Sequence, residues 1–385
     1  MPLKDSFVGI YLKRFVIPGA LVFNKPGFLD FKISGKTNVY ARQIFYPEDF
    51  FIAFEKKIVD EFGDKGRQKL YSVGKKFGYR FAQSGKFENI KDNPGEKIKD
   101  WIFITSKFVE GTYASSIEHS TDLTIPKTDY SLKNFAILDK MGYDYIFSTG
   151  GTAGMMAWIF QDQSVEVVLQ DIKQVNGSYE AIVTAAPFNY LKAKYPEKEL
   201  FKEVNLDGLL ENFQDYVKFN AQVQTSCAKS FQTYLDFNIF SYQGGIVKFK
   251  DRRFFLFEVS GTYLLELELK KDSNARYLDI LFETSFSAGE DVLSQFGKNP
   301  KDVFDVLSAL GWGEVIPLSS SSAEIKVLIN HFPWSKWYKD VDYIIIRGFL
   351  SGILSKLNGK KVLFGKPIVD LSKGHLSLLF GGKYA

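Results

Sequence analysis

The 385-residue sequence is short of the residues that build covalent or metal-held frameworks. Its one cysteine, Cys227, excludes a disulfide within the chain and points to a reducing, cytoplasmic home. Its three histidines, His119, His331 and His375, are far apart in sequence and have no cysteine at ligand spacing, so no metal site is expected. No stretch offers the roughly 20 apolar residues that a membrane helix needs. The run 143–160 is diluted by Ser148, Thr149 and three glycines, and the run 343–354 is interrupted by Arg347. Residues 1–5, with an early acid and no long apolar core, do not read as a signal peptide. The net charge of +4 comes with no run of five or six basic residues, which gives no support to a nucleic-acid arm. A Gly-x-Ser-x-Gly elbow, a phosphate loop ending in Lys-Ser/Thr, a His-Glu-x-x-His helix and a dinucleotide fingerprint are all missing. These absences favour a non-catalytic protein without a cofactor.

What is abundant is aromatic. Thirty-seven Phe and 20 Tyr within a 45% apolar composition predict large buried surfaces or apolar pockets.

The sequence also repeats itself. Phe28-Leu-Asp-Phe-Lys-Ile-Ser-Gly35 reads like Phe254-Phe-Leu-Phe-Glu-Val-Ser-Gly261, each a strand-like run ending at a Ser-Gly turn. Shorter strand-like pieces, 19–23 and 245–249, precede them. Next, 70–78 reads like 281–289, with small residues four apart at Gly74 and Gly78 and at Ser285 and Gly289. The same spacing recurs at Gly150 and Gly154 and at Gly348 and Gly352, which open two apolar runs. On a helix, small residues four apart share a face and let another backbone come close. Each of these later helices leads into a strand, a turn (Asn176-Gly177; Lys373-Gly374) and a closing strand. The first copy has 76 residues from Gly78 to Gly154 and the second has 63 from Gly289 to Gly352, so an insertion is expected near 85–140. The expected division is a first repeat over 1–195, a connecting helical segment over 196–238 and a second repeat over 239–385. Leu206, Leu209, Leu210, Phe213 and Val217 set the helical spacing of the connector.

The second copy resembles the 4-vinyl reductase domain family. The resemblance rests on Leu281–Gly297, Phe304–Glu314 with its Leu-Gly-Trp-Gly, Ile346–Leu354, and Ser372-Lys-Gly-His375. It covers about the last 140 residues. The first copy is similar to the family more loosely, through Met141-Gly-Tyr143 and Gly150–Phe160. The resemblance implies an α+β fold: two tandem domains, each an antiparallel sheet with helices packed on one side, paired as an internal pseudo-dimer or through a homodimer. That fold is similar to core subunits of the TRAPP tethering complex. Members include sensor domains of phenol-responsive activators and proteins linked to bacteriochlorophyll synthesis, and they bind a small apolar molecule or a partner. Many carry a cysteine zinc site in the terminal hairpin. The hairpins here, 169–185 and 366–380, have no cysteine, so that property does not carry over.

The residues chosen as ligand-binding candidates are Trp312, Trp334, Trp337, Tyr338 and Arg347 in the second copy and Trp158 in the first. The tryptophans and Tyr338 could line an apolar pocket, fill the core or form an interface. Arg347 could hold an anion or reach out to solvent. Gly74, Gly78, Gly150, Gly154, Ser285, Gly289, Gly348 and Gly352 are assigned to helix packing. The leading expectation is a non-catalytic small-molecule sensor or scaffold, with any ligand in the second copy. The alternative is an interaction subunit with a protein partner. A role as enzyme accessory in tetrapyrrole or hydrocarbon metabolism has only the family name behind it.

Overall fold

The structure, a computed structural model, describes residues 8–32, 40–135, 146–206, 225–226, 229–243, 246–320, 324–334, 340–373 and 375–385. The first half of the chain runs α1 (Leu12–Val16, wound as a π-helix), α2 (Ile17–Ala20), β1 (Leu21–Val22), β2 (Leu29–Lys32), β3 (Tyr40–Pro47) and α3 (Glu48–Phe62). It continues through α4 (Asp64–Ser84), α5 (Glu96–Tyr113), β4 (Ser116–Asp122), β5 (Lys127–Lys133), α6 (Ile146–Phe160), β6 (Val165–Val175), β7 (Ser178–Pro187) and α7 (Phe188–Lys194). The second half runs α8 (Phe231–Asp236), β8 (Phe240–Gln243), β9 (Ile246–Phe249), β10 (Arg252–Glu258), α9 (Val259–Lys270) and α10 (Arg276–Asp291). It ends with α11 (Pro300–Leu307), β11 (Glu314–Ser320), β12 (Glu324–Asn330), α12 (Ile344–Asn358), β13 (Val362–Phe364), β14 (Ile368–Asp370) and β15 (Ser377–Tyr384). The fold is α+β, with antiparallel sheets and helices packed on them.

The chain forms two compact units. The first holds Met1–Ala20, Ile58–Asp215 and Tyr242–Val247; the second holds Leu21–Lys57, Tyr216–Ser241 and Lys248–Ala385.

In the first unit a four-stranded sheet has the order β4-β5-β7-β6. Asn176 and Gly177 both take positive φ (51° and 77°), the conformation that closes a two-residue hairpin between β6 and β7. Strand β7 buries Ala181 and Val183 on one face and is buried on both faces from Val183 to Ala186. Helix α4 buries Leu70, Gly74 and Gly78 along one stripe, and that stripe meets α6.

In the second unit a sheet has the order β11-β12-β15-β13, with β14 beside β15. Its pattern is that of the first unit. The hairpin before the glycine helix lies at one edge, the strand after that helix takes the other edge, and the last strand fills the gap. A further sheet, β1-β2-β3-β10-β9-β8, has most of its residues in this unit. There β3 and β10 run antiparallel, with Tyr46 opposite Phe255 and Ile44 opposite Phe257. Tyr46, Phe50, Phe51, Phe255 and Phe257 pack edge-on and tilted into one aromatic core. Asn299 starts α11 by accepting the Asp302 N–H, with Pro300 in the first turn, where no N–H is needed. Leu310-Gly-Trp-Gly313 turns the chain from α11 into β11. Gly311 (φ 94°) and Gly313 (φ 90°) hold conformations that side chains rarely take, and each lies against a backbone carbonyl, of Gln43 and Asn330 respectively.

Several sequence expectations need correction. Ser260 and Gly261 are not a turn; they sit in the first turn of α9, where the Glu258 carboxylate accepts the Ser260 N–H. The apolar runs attributed to Gly150 and Gly348 begin four residues earlier, at Ile146 and Ile344. Of the connecting segment 196–238, residues 199–206 form neither helix nor strand, although Phe201, Val204 and Leu206 are buried. A helix appears at Phe231–Asp236. Part of the greater length of 78–154 over 289–352 is helix, since α5 has 18 residues and α11 has 8. Ser34-Gly35, Met141–Tyr143, Leu209–Val217, Cys227 and Gly374 lie outside the described residues.

Candidate ligand-binding site

Helix α5 offers Ile102, Thr105, Ser106 and Val109 at i, i+3, i+4 and i+7, one continuous face. Helix α6 offers Thr152, Met155 and Ile159, again one face. The sheet adds Ile117 from β4, Tyr130 and Leu132 from β5, two apart and so on one side, and Val183 from β7. With Phe135 these side chains line a partly open cavity of about 50 Å³ in the first unit.

The cavity walls carry four hydroxyls. Ser106 Oγ donates to the Ile102 carbonyl at 2.8 Å, Thr152 Oγ1 to the Ser148 carbonyl at 3.1 Å, and Tyr130 Oη to Met156 Sδ at 3.2 Å. Burial pushes the Tyr130 phenol well above its usual range, so it stays protonated. The fourth hydroxyl, Thr105 Oγ1, is buried and has no hydrogen-bond partner. A buried hydroxyl without a partner costs about 1–3 kcal/mol. A bound molecule with an accepting atom would recover that cost.

The opposite flank of α6 is closed against α4. A methyl on Gly74 would lie 2.0 Å from the Phe147 carbonyl oxygen, and one on Gly154 would lie 1.9 Å from that of Lys75. Gly78 and Gly150 are equally tight, against Gly151 and Tyr71. In the second unit Gly289 meets Phe349, Gly348 meets the Ser285 Cβ, and Gly352 meets Phe286, where α10 crosses α12. All eight small residues therefore stand at these two helix crossings.

Beneath the first crossing lies an ion pair. Lys75 and Glu166 have fully buried side chains in direct contact. Lys75 Nζ also donates to the Gln163 carbonyl at 2.9 Å, and Tyr71 Oη donates to Glu166 at 2.6 Å while accepting the Val167 N–H. Desolvation lowers the Lys75 pKa and raises that of Glu166, each against the pull of its partner. In the second unit Phe286 stands where Lys75 does, its carbonyl facing Gly352 as that of Lys75 faces Gly154.

The tryptophans serve the packing. Trp312 is 1% exposed and lies edge-on to Tyr46 and Phe349, its Nε1 without a partner. Trp334, equally buried, donates to the Val259 carbonyl at 2.9 Å and stacks on Tyr343. Trp158 is half-buried and donates to the Phe87 carbonyl at 2.9 Å. Half-buried Arg347 donates to the Phe364 carbonyl at 3.0 Å, with its guanidinium over the Phe282 ring. None of these four lines the cavity. Trp337 and Tyr338 lie outside the described residues. The cavity is in the first unit, whereas the sequence pointed to the second copy.

His331 and His375, which stand far apart in the sequence, meet in the fold. Their rings stack at 3.9 Å. Burial, His375 and Arg42 together hold the His331 pKa down at about 4. Among the described residues, no group of three or more His, Cys, Asp or Glu side chains is placed to hold a metal ion, and no helix is long and apolar enough to cross a membrane.

No protein-family model matches the chain, and no curated protein matches it. Solved structures do. A vinyl-4-reductase family protein from Methanocaldococcus jannaschii is 15% identical at a TM-score of 0.25, over 32% of this chain and 76% of that one. The phenol-responsive sensory domain of the transcription activator PoxR, solved with phenol, is 15% identical at a TM-score of 0.32. That match spans 43% of this chain and 92% of the other. Both likenesses are partial, and the functional reading rests on the cavity.

Proposed function

We propose that this protein binds a small apolar molecule carrying one hydrogen-bond acceptor in the cavity of the first unit, and acts as a non-catalytic sensor or scaffold. The observation that carries this reading is Thr105, whose buried hydroxyl is unpartnered while the other three hydroxyls of the mostly apolar wall are bonded within the protein. Ligand sites are commonly apolar with few placed polar groups. At about 50 Å³ the cavity is roughly a third of the ~150 Å³ that admits benzene in an engineered protein core. The ligand is therefore compact, or it enters as Met155 and Phe135, both half-buried, turn aside. Tyr130, held protonated, is the sole ionisable side chain in the lining, which supports binding rather than chemistry.

We further propose that the chain holds two copies of one 4-vinyl-reductase-like domain. The matching strand orders β4-β5-β7-β6 and β11-β12-β15-β13, each beside a glycine-packed helix crossing, support this reading. The test of the binding function is calorimetric titration of the full chain with compact alcohols, ketones and phenols. Saturable binding, weakened about tenfold by Thr105→Val, is the expected result. That factor matches one hydrogen bond of roughly 1.4 kcal/mol. No saturable binding across the series would defeat the proposal.

A further inference from the structure

Residues 199–206, which form neither helix nor strand, lie against α4 in contacts that read like bound peptide rather than connecting loop. Arg67 grips the Glu199 carboxylate with two nitrogens, Nε reaching Oε1 at 2.8 Å and a terminal nitrogen meeting Oε2. One residue on, the Gln68 amide donates to the Lys202 carbonyl at 3.2 Å and accepts the Lys202 N–H at 2.8 Å. A side-chain amide that satisfies both backbone groups of one residue recognises extended chain whatever its side chain. One helical turn further, the Tyr71 ring stacks on Phe201 at 4.2 Å and 17°. Its hydroxyl is fixed by Glu166, itself paired with Lys75, so the floor under Phe201 is rigid. The three positions form one stripe of α4 and select an acid, a phenylalanine two residues later, and free backbone just beyond it. The bonds from Arg67 and Gln68 lie in exposed surroundings, whereas Phe201 is buried against Tyr71, so an incoming chain has to bring a phenylalanine of its own to refill that place.

We propose that this face of α4 is a recognition site for an extended peptide of the pattern Glu-x-Phe. Residues 199–203 occupy it in cis, and a segment of the same pattern from another protein takes their place. A tethered occupant competes at millimolar effective concentration, so the apparent affinity for an incoming peptide falls with the fraction of sites that are open. The site is independent of the cavity, and either can fail alone.

The test is fluorescence anisotropy of a labelled peptide with the sequence of residues 197–206, titrated with the full chain and with the full-length Glu199→Ala/Phe201→Ala variant. The loosened variant should bind at least tenfold more tightly than the unaltered chain. A peptide with Glu199→Lys and Phe201→Ala should not bind, and adding Arg67→Ala and Gln68→Ala to the loosened chain should remove binding. Where the double variant loses its cooperative melt, Glu199→Lys alone, at an exposed carboxylate, serves the same comparison. Equal binding to both chains, or binding indifferent to Arg67 and Gln68, overturns the proposal. A loosened chain that dimerises instead of taking up peptide overturns it too, in favour of exchange between copies.

Discussion

Gly78 of α4 and Gly151 of α6 approach so closely that a methyl group on Gly78 would lie 1.9 Å from the Gly151 carbonyl oxygen. No rotamer relieves a contact with backbone, so the helices would have to separate. Gly78→Ala is expected to destabilise the protein by about 1–3 kcal/mol, the usual cost of overpacking. The control is Gly365→Ala, where the added carbon meets nothing within 4 Å, and a change within about 0.5 kcal/mol is expected. Urea midpoints of the two variants check this.

Lys75 and Glu166 depend on each other. Lys75→Met leaves a buried carboxylate without its cation, a loss of about 3–5 kcal/mol. Adding Glu166→Gln removes the stranded charge and should restore much of that loss, because Tyr71 can still bond to the amide. A double-mutant cycle by chemical denaturation measures the coupling. Additive losses would show that the pair does not act as one unit.

The crossing was legible in the sequence because close helix approach demands small residues at fixed spacing, and Gly74, Gly78, Gly150 and Gly154 carry that spacing openly. The strand-forming runs were legible too, through β-branched and aromatic residues bounded by turn signals. Ser260-Gly261 misled because a Ser-Gly pair suits a turn, whereas the Glu258 carboxylate supplies a cap that favours a helix. The ion pair was hidden because Lys75 and Glu166 are 91 residues apart. The cavity was hidden because tryptophans draw attention as pocket residues, yet Trp312 and Trp334 are large enough to fill space rather than leave it. The available signal was subtler: two adjacent hydroxyls, Thr105 and Ser106, on the apolar stripe of α5.

Glu258 is buried at the start of α9, and burial raises its pKa to about 7. The folded protein therefore holds a proton that the unfolded chain releases near its ordinary value of 4.5. The stability this group contributes is full below pH 4.5 and is lost as pH rises through about 7. Glu258→Gln should flatten that slope and gain about 1–3 kcal/mol at pH 8 relative to pH 5. His331, with its pKa lowered to about 4, acts in the opposite sense and loses stability as pH falls from 6.5 toward 4. Melting temperatures of the parent and the Gln variant across pH 5–8 separate the two groups.

Thr105→Val keeps the shape of the side chain and removes the unpartnered hydroxyl. In the ligand-free protein it should stabilise by about 1 kcal/mol, since an apolar group replaces a buried polar one. A stabilised chain with weakened ligand binding is the combined signature, and thermal melts with and without ligand read both. A destabilised variant would mean that the hydroxyl already has a partner in the free protein.

The most direct measurement of the central claim is methyl NMR of the full chain under xenon pressure. Ile102, Ile117 and Ile159 line the cavity, while Ile58 and Ile98 are buried but do not line it. Saturable shifts at the three lining methyls, with the other two unmoved, are the predicted result. Unmoved lining methyls at pressures that fill apolar cavities of this size would contradict the account.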